Sequence, residues 1–239
     1  MLIEALGLES ARLVAICGAG GKTSLMLALA REMASRGERV LITTTTKIAA
    51  AEVEGPFPPG VSVSYRERSA DGRKLTGHPP EEVDSFKESG RFDRILVEAD
   101  GSRRRPLKAP AAHEPVVPSS ADAAVVVAGM SGLGLPLSEQ TVFRAEIWSA
   151  LSGTPLDAIV DAESFARVAL HEAGLAKGCP GASRTMLFLN QVHTPGARTA
   201  AATIAHLVSA ATRAPFGRIV CGHLLPSPGL ARVVADLEA

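Results

Sequence analysis

Short apolar runs and amphipathic helical stretches alternate along most of this chain. The apolar runs predict buried strands at about 12–17, 39–44, 92–99, 122–128, 184–189 and 218–221. Apolar spacing and end signals predict longer helices at about 22–36, 80–89, 138–151, 162–173, 197–212 and 227–238, and residues 61–76 predict a small hairpin. This order predicts an α/β fold, a three-layer α/β/α sandwich in which helices cover both faces of a mostly parallel sheet.

Length and composition narrow the class of protein. The 239 residues contain no internal repeat, and we expect one domain over residues 1–239 with a helical subregion at 138–180. The 25 basic and 25 acidic residues give a net charge of zero, so nucleic-acid binding has no global electrostatic support. No apolar run reaches about 18 residues, so no membrane span is predicted. Three separated cysteines and an acidic N-terminus favour a cytoplasmic protein.

The most informative segment joins the first predicted strand to the first long helix through a cluster of glycines. Glycines let backbone N–H groups close around phosphate oxygens, and the N-terminus of the following helix favours negative charge. Lys22 would reach the β- and γ-phosphates of a nucleotide, and the Thr23 hydroxyl would ligate Mg²⁺. The predicted phosphate-binding loop consists of Gly18, Ala19, Gly20, Gly21, Lys22, Thr23 and Ser24.

Two other interpretations match part of this loop. The full G-x-x-x-x-G-K-[ST] pattern would place glycine at Ile16, so a plain strand-to-helix turn that needs glycine is one alternative. A dinucleotide-binding G-x-G-x-x-G loop would need glycine at Thr23, and the second strand ends in four threonines without an acid for the ribose. The pattern therefore favours a loop for a nucleoside triphosphate, ATP or GTP.

Two acids end the strand predicted at 92–99. Glu98 and Asp100 share a face because side chains alternate along a strand, and Gly101 follows them. Nucleotide hydrolases need an acid beside the phosphate loop, where it holds Mg²⁺ or orients the attacking water. We therefore predict Lys22, Glu98 and Asp100 as catalytic residues, with Thr23 and Asp100 on the metal.

Two further segments predict contacts with ligands. Four cations follow Gly101 within residues 103–108, and Arg104 is the residue we expect to contact phosphate or a second anionic ligand, although a solvated loop is equally compatible. Residues 187–193 resemble the N-K-x-D guanine-reading motif, of which only Asn190 matches. Asn190 is therefore predicted at the base, while Gln191 and His193 leave the choice between ATP and GTP open.

Several segments resemble one protein family. Its most specific match is the loop Arg104-Arg105-Pro106-Leu107-Lys108-Ala109-Pro110, and the other matches lie at 17–23, 43–47, 97–102, 113–118, 142–146 and 189–192. Together they resemble the YqeC family, accessory proteins of selenium-dependent molybdenum hydroxylases. The resemblance covers nearly the whole chain and implies a P-loop NTPase-like fold. It also implies a role in preparing or inserting a selenium- or molybdenum-containing cofactor, with a molybdenum hydroxylase or that cofactor as partner.

The sequence therefore predicts a Mg²⁺-dependent nucleotide-binding protein, a nucleoside triphosphate hydrolase that acts as a maturation factor. An ATP-dependent ligase or transferase is the alternative, in which residues 103–108 bind a small acceptor. A nucleotide-gated scaffold without catalysis is a third. Their reaction products distinguish them, because only the first releases nucleoside diphosphate and phosphate without an acceptor.

Overall fold

The computed structural model describes residues 1–224 and the backbone of residues 232–236. Its strands are β1 (Leu13–Gly18), β2 (Val40–Thr44), β3 (Lys47–Ala49), β4 (Val61–Val63), β5 (Glu67–Arg68), β6 (Lys74–Thr76), β7 (Arg94–Glu98), β8 (Leu107–Lys108), β9 (Ala123–Gly129), β10 (Val142–Phe143), β11 (Thr185–Asn190), β12 (Arg218–Cys221) and β13 (Arg232–Asp236). Its helices are α1 (Leu2–Ala5), α2 (Lys22–Ser35), α3 (Ala50–Val53), α4 (Pro80–Glu88), α5 (Ala145–Ser152), α6 (Ala162–Leu170) and α7 (Pro195–Ser209), with 3₁₀ turns at Met130–Gly132 and Ala182–Arg184.

Eight strands form the central sheet, in the order β13-β12-β11-β9-β1-β7-β2-β4. Seven of them run parallel, and β13 is antiparallel to β12. Because β1 lies between β7 and β9, the ends of these three strands meet at one edge, which is where ligands bind in open α/β sheets.

Apolar side chains pack against both faces of this sheet. Along β1, Leu13, Ala15 and Cys17 enter one core, and Val14 and Ile16 enter the other. The first core includes side chains of α4, α5, α6 and α7, and the second includes side chains of α1, α2 and α3. The layers confirm the predicted three-layer α/β/α sandwich. None of the described helices is long and apolar enough to cross a membrane.

Three local predictions differ from the structure. The helix predicted at 138–151 begins only at Ala145, because Val142 and Phe143 pair with β8. In the helix predicted at 227–238, the described part Arg232–Asp236 is strand β13, consistent with its two β-branched valines, and the rest lies outside the described residues. Within 61–76 a hairpin of β5 and β6 does form, but β4 joins the central sheet beside β2 and β6 also pairs with β3.

Candidate functional site

The glycine loop between β1 and α2 is packed so closely that side chains would not fit. Gly20 and Gly21 have φ values of 78° and 128°, in the region that favours glycine. A Cβ at Gly20 would lie 2.4 Å from the backbone nitrogen of Gly129, and one at Gly21 would lie 2.3 Å from Asn190 Nδ2. The loop is therefore held against the ends of β9 and β11, and α2 begins directly after it.

A cavity of about 800 Å³ opens at this end of the sheet. The residues that line it come from the glycine loop, the start of α2, the segment after β2, the end of β7 and the segment after it. Of the sequence-predicted site residues, those that line it are Gly20, Gly21, Lys22, Thr23, Ser24, Glu98 and Arg104. Those that do not are Gly18, Ala19, Asp100 and Asn190.

Lys22 is a buried cation held between two carboxylates. Its Nζ donates to the carbonyl oxygen of Gly18 at 2.9 Å and lies 3.5 Å from Glu98 and 3.3 Å from Asp100. Burial by itself lowers the pKa of Lys22, but the attraction of Asp100 and Glu98 outweighs it, so the net pKa is raised. Lys22 is therefore charged at the start of α2, as phosphate binding requires.

Thr23 lies against Glu98, and both residues line the cavity. Its hydroxyl is 2.9 Å from Glu98 Oε2 and 3.3 Å from Glu52 Oε2. Burial raises the pKa of Glu98 more than Lys22 and the Thr23 bond lower it. A hydroxyl beside one or two carboxylates is an oxygen donor set suited to Mg²⁺, which usually completes its coordination with phosphate oxygens and water.

Asp100 also contacts Lys22 but has other partners than the Thr23 hydroxyl. Its Oδ2 accepts from the backbone N–H of Gly18 at 3.0 Å and from Lys108 Nζ at 2.8 Å, and its residue is 2% exposed. β7 ends at Glu98, but both carboxylates reach Lys22 Nζ, so the two acids converge on the same lysine. The geometry therefore brings Glu98, and not Asp100, to the predicted metal ligand Thr23.

Of the residues at the predicted base position, Asn190 contacts the phosphate loop, whereas Gln191 lines the cavity. Asn190 Nδ2 donates to the carbonyl oxygen of Gly20 at 2.7 Å, so this buried side chain supports the phosphate loop. Gln191 Oε1 accepts from the Ser131 hydroxyl at 2.6 Å, and both residues line the main cavity. They also line a second cavity of about 780 Å³, whose lining is mostly apolar and includes His193. The second cavity thus adjoins the phosphate site on the side of β11.

A group of charged residues adjoins Asp100, and two of its members, Glu114 and Arg144, were not predicted as site residues from the sequence. Lys108 Nζ contacts Glu114 Oε2 at 2.6 Å, and Arg144 Nη1 contacts the same oxygen at 2.5 Å. Burial works against ionisation of Glu114, but hydrogen bonds from Arg144 and Lys108 prevail and lower its pKa to about 2. Ion pairs therefore run without a break from Lys22 through Asp100, Lys108 and Glu114 to Arg144.

Arg104 and Glu52, which both line the cavity, form an ion pair. Arg104 lies 3.2 Å from Glu52 with its side chain 79% exposed, so it is free to exchange this partner for a ligand.

Next to Gly18, two cysteine thiols are in contact: the Sγ atoms of Cys17 and Cys179 are 3.8 Å apart. That hydrogen bond and burial raise the pKa of the Cys17 thiol, which makes it a poor nucleophile.

These features define the class: an α/β protein whose first strand leads into a glycine loop with a buried lysine at the start of a helix. The family model "YqeC protein" matches residues 14–146. "Uncharacterized protein YqeC" from Escherichia coli (strain K12) is 33% identical, over 74% of this chain and 75% of that one. The chain belongs to the YqeC family.

Among solved structures, FtsY from Mycoplasma mycoides is similar at a TM-score of 0.44 and 13% identity. The match covers 91% of this chain and 66% of the FtsY chain, slightly less than two thirds of its length.

Proposed function

We propose that this protein binds a nucleoside triphosphate with Mg²⁺ and hydrolyses it. The observation that carries the proposal is the position of Lys22. It is a buried, charged lysine at the first residue of α2, directly after glycines that tolerate no side chain, and it faces a cavity also lined by Thr23 and Glu98. Backbone N–H groups, a helix N-terminus and a lysine are together suited to a phosphate chain.

The residues of the cavity take separate roles in this proposal. Lys22 binds the terminal phosphates, and Thr23 and Glu98 hold Mg²⁺, which when bound neutralises charge that develops on the phosphates. Asp100 contacts Lys22 and accepts from the N–H of Gly18, so we assign it a positioning role. Arg104 leaves Glu52 to bind phosphate oxygens. We place the base in the second cavity, beside Gln191 and His193.

The biological role is the finer part of the proposal. We propose that nucleotide hydrolysis serves the maturation of a molybdenum hydroxylase, by preparing or inserting a selenium- or molybdenum-containing cofactor. Membership of the YqeC family supports this role. We also propose that residues 1–239 act as one domain, because strands from Leu13 to Asp236 belong to one sheet. An ATP-dependent ligase or transferase remains the alternative, distinguished by turnover that requires an acceptor.

The chemistry is tested with purified full-length protein. ATP and GTP are each incubated with and without Mg²⁺, and the nucleotide products and released phosphate are measured. Thr23→Ala is compared with Thr203→Ala, whose hydroxyl bonds within α7. We expect Mg²⁺-dependent release of diphosphate and phosphate, reduced at least tenfold in Thr23→Ala and unchanged in Thr203→Ala. Equal turnover by all three proteins would assign the activity to another site or a contaminant.

The cellular role needs a separate test. Molybdenum hydroxylase activity is measured in extracts of cells that lack this protein and are complemented with wild type, Thr23→Ala or Thr203→Ala. We expect wild type and Thr203→Ala to restore activity and Thr23→Ala to fail. Full hydroxylase activity without any complementation would refute the maturation role while leaving the nucleotide chemistry intact.

A further inference from the structure

Beside the phosphate loop, three cations gather around one aromatic ring, and two of them, Arg103 and Arg144, line the main cavity together with Phe143. The guanidinium carbons of Arg144 and Arg103 lie 4.2 and 5.0 Å from the centre of the Phe143 ring, and Lys108 Nζ lies 5.7 Å from it. Lys108 pairs with Asp100 and Glu114, and Glu114 also pairs with Arg144, whereas Arg103 has no ion pair among the described residues. Arg103 therefore contributes a positive charge that none of the described carboxylates pairs with.

The backbone around this cavity is strained at both arginines of the cluster and at two further residues that line it. Five described non-glycine residues have positive φ, and four of them line the cavity: Arg103 at 49°, Arg104 at 60°, Arg144 at 66° and Gln191 at 67°. This conformation is costly for residues with a Cβ, and such strain concentrates where a ligand must be held. Among the described non-glycine residues, positive φ values are therefore concentrated around this cavity.

The residues that line the main cavity carry more positive than negative charge. Its lining includes three acids, Glu52, Glu98 and Glu114, and seven cations, Lys22, Lys47, Lys74, Arg103, Arg104, Arg105 and Arg144. The whole chain, by contrast, has a net charge of zero. Positive charge is thus concentrated where the proposed nucleotide binds, and part of it lies in the Arg103–Phe143–Arg144 cluster rather than at the start of α2.

We infer that the Arg103–Phe143–Arg144 cluster binds a second ligand that carries a carboxylate or phosphate group. Guanidinium groups recognise both anions through paired N–H donors. Phe143 offers an apolar surface to the carbon part of such a ligand. Arg144 is fixed by Glu114 and by the carbonyl oxygen of Ala109, whereas Arg103 is exposed and able to close on the ligand. The inference deepens the proposed function, since the ligand would lie beside the nucleotide in the same cavity.

The test is an anion titration of protein saturated with Mg²⁺ and a non-hydrolysable triphosphate analogue. Inorganic phosphate and acetate are titrated in separate calorimetric experiments, which identify the preferred anion. We expect saturable binding of at least one, weakened at least tenfold in Arg103→Ala and unchanged in Arg66→Ala, an exposed arginine outside the cavity. The affinity for the triphosphate analogue should stay within twofold in both variants.

Two results would overturn the inference. One is the absence of saturable anion binding to the nucleotide-saturated protein. The other is a loss of triphosphate affinity in Arg103→Ala without any change in anion binding, which would assign this arginine to the nucleotide. If the analogue itself does not bind, the proposed function fails separately. The anions are then titrated into protein alone, where Arg103→Ala must weaken binding and Thr23→Ala must not.

Discussion

Replacement of Lys22 by methionine tests both the buried ion pairs and the phosphate site. The substitution removes the cation that lies between two carboxylates, each less than a tenth exposed. Removal of one partner from a buried ion pair costs about 3–5 kcal/mol, because the remaining charge is left without compensation. Asp100 keeps Lys108 and the N–H of Gly18, and Glu98 keeps the Thr23 hydroxyl.

Because both carboxylates retain partners, we expect the cost of Lys22→Met near the lower limit, about 3 kcal/mol. For a chain of this length, about 2–4 °C per kcal/mol converts this into a fall in Tm of about 6–12 °C. Burial raises the pKa of Glu98, so mild acid protonates it early and the deficit should shrink as the pH falls. Addition of Glu98→Gln to Lys22→Met should recover part of the stability, since the uncompensated charge is removed.

The assay is thermal unfolding followed by circular dichroism, with and without a nucleoside triphosphate and Mg²⁺. Lys74→Met is the matched control, an exposed lysine that lines the same cavity. Wild type and Lys74→Met should be stabilised by the nucleotide. Lys22→Met should bind it at least tenfold more weakly, since a hydrogen bond to a charged group contributes about 1.5–3 kcal/mol. Identical Tm values for the two methionine variants would contradict the buried pairs, and equal nucleotide affinity would contradict the phosphate site.

Three further predictions concern the selectivity between ATP and GTP, the stability of the fold at acid pH and the reactivity of the Cys17 thiol. ATP and GTP affinities, measured by competition, should differ by less than about tenfold, because His193 cannot accept the two bonds of an acid; a strong GTP preference would contradict this. Ion pairs of Glu114 should stabilise the fold above pH 4.5 and be lost as the pH falls towards its pKa of about 2, so Glu114→Gln should flatten that part of the stability curve, and an unaltered curve would refute it. Native Cys17 should resist a thiol reagent at pH 8, and rapid labelling would show that it is not buried.

The sequence predicts the fold because its signals are local. Alternating apolar runs and helical patterns specify the parallel sheet, and the glycine cluster marks the turn from β1 to α2. The prediction is wrong in segments whose pattern is compatible with both a helix and a strand. At 142–143, pairing with β8 prevails over helical periodicity, and at 232–236 pairing with β12 does so. Strand pairing depends on contact with another segment of the chain, so the pattern within one segment does not reveal it.

The candidate site is less predictable because it depends on contacts between distant residues. Alternation predicts a common face for Glu98 and Asp100, and both reach Lys22, but no local signal indicates that Asp100 also accepts from the N–H of Gly18. Glu114 and Arg144 are 30 residues apart, and only the packing of β8 beside β10 brings them together. The motif 104–110 contains Lys108, which is a signal, yet nothing in it indicates that this lysine is buried between two acids.

The central claim is that the loop and Glu98 bind a nucleoside triphosphate with Mg²⁺, and direct calorimetric titration tests it best. ATP and GTP are titrated into wild type and Glu98→Gln, each with and without Mg²⁺, and Glu67→Gln serves as an exposed control outside the cavity. The account predicts saturable 1:1 binding that Mg²⁺ strengthens in wild type and Glu67→Gln, with the strengthening lost in Glu98→Gln. No binding of either nucleotide in the presence of Mg²⁺, or equal strengthening in all three proteins, would contradict it.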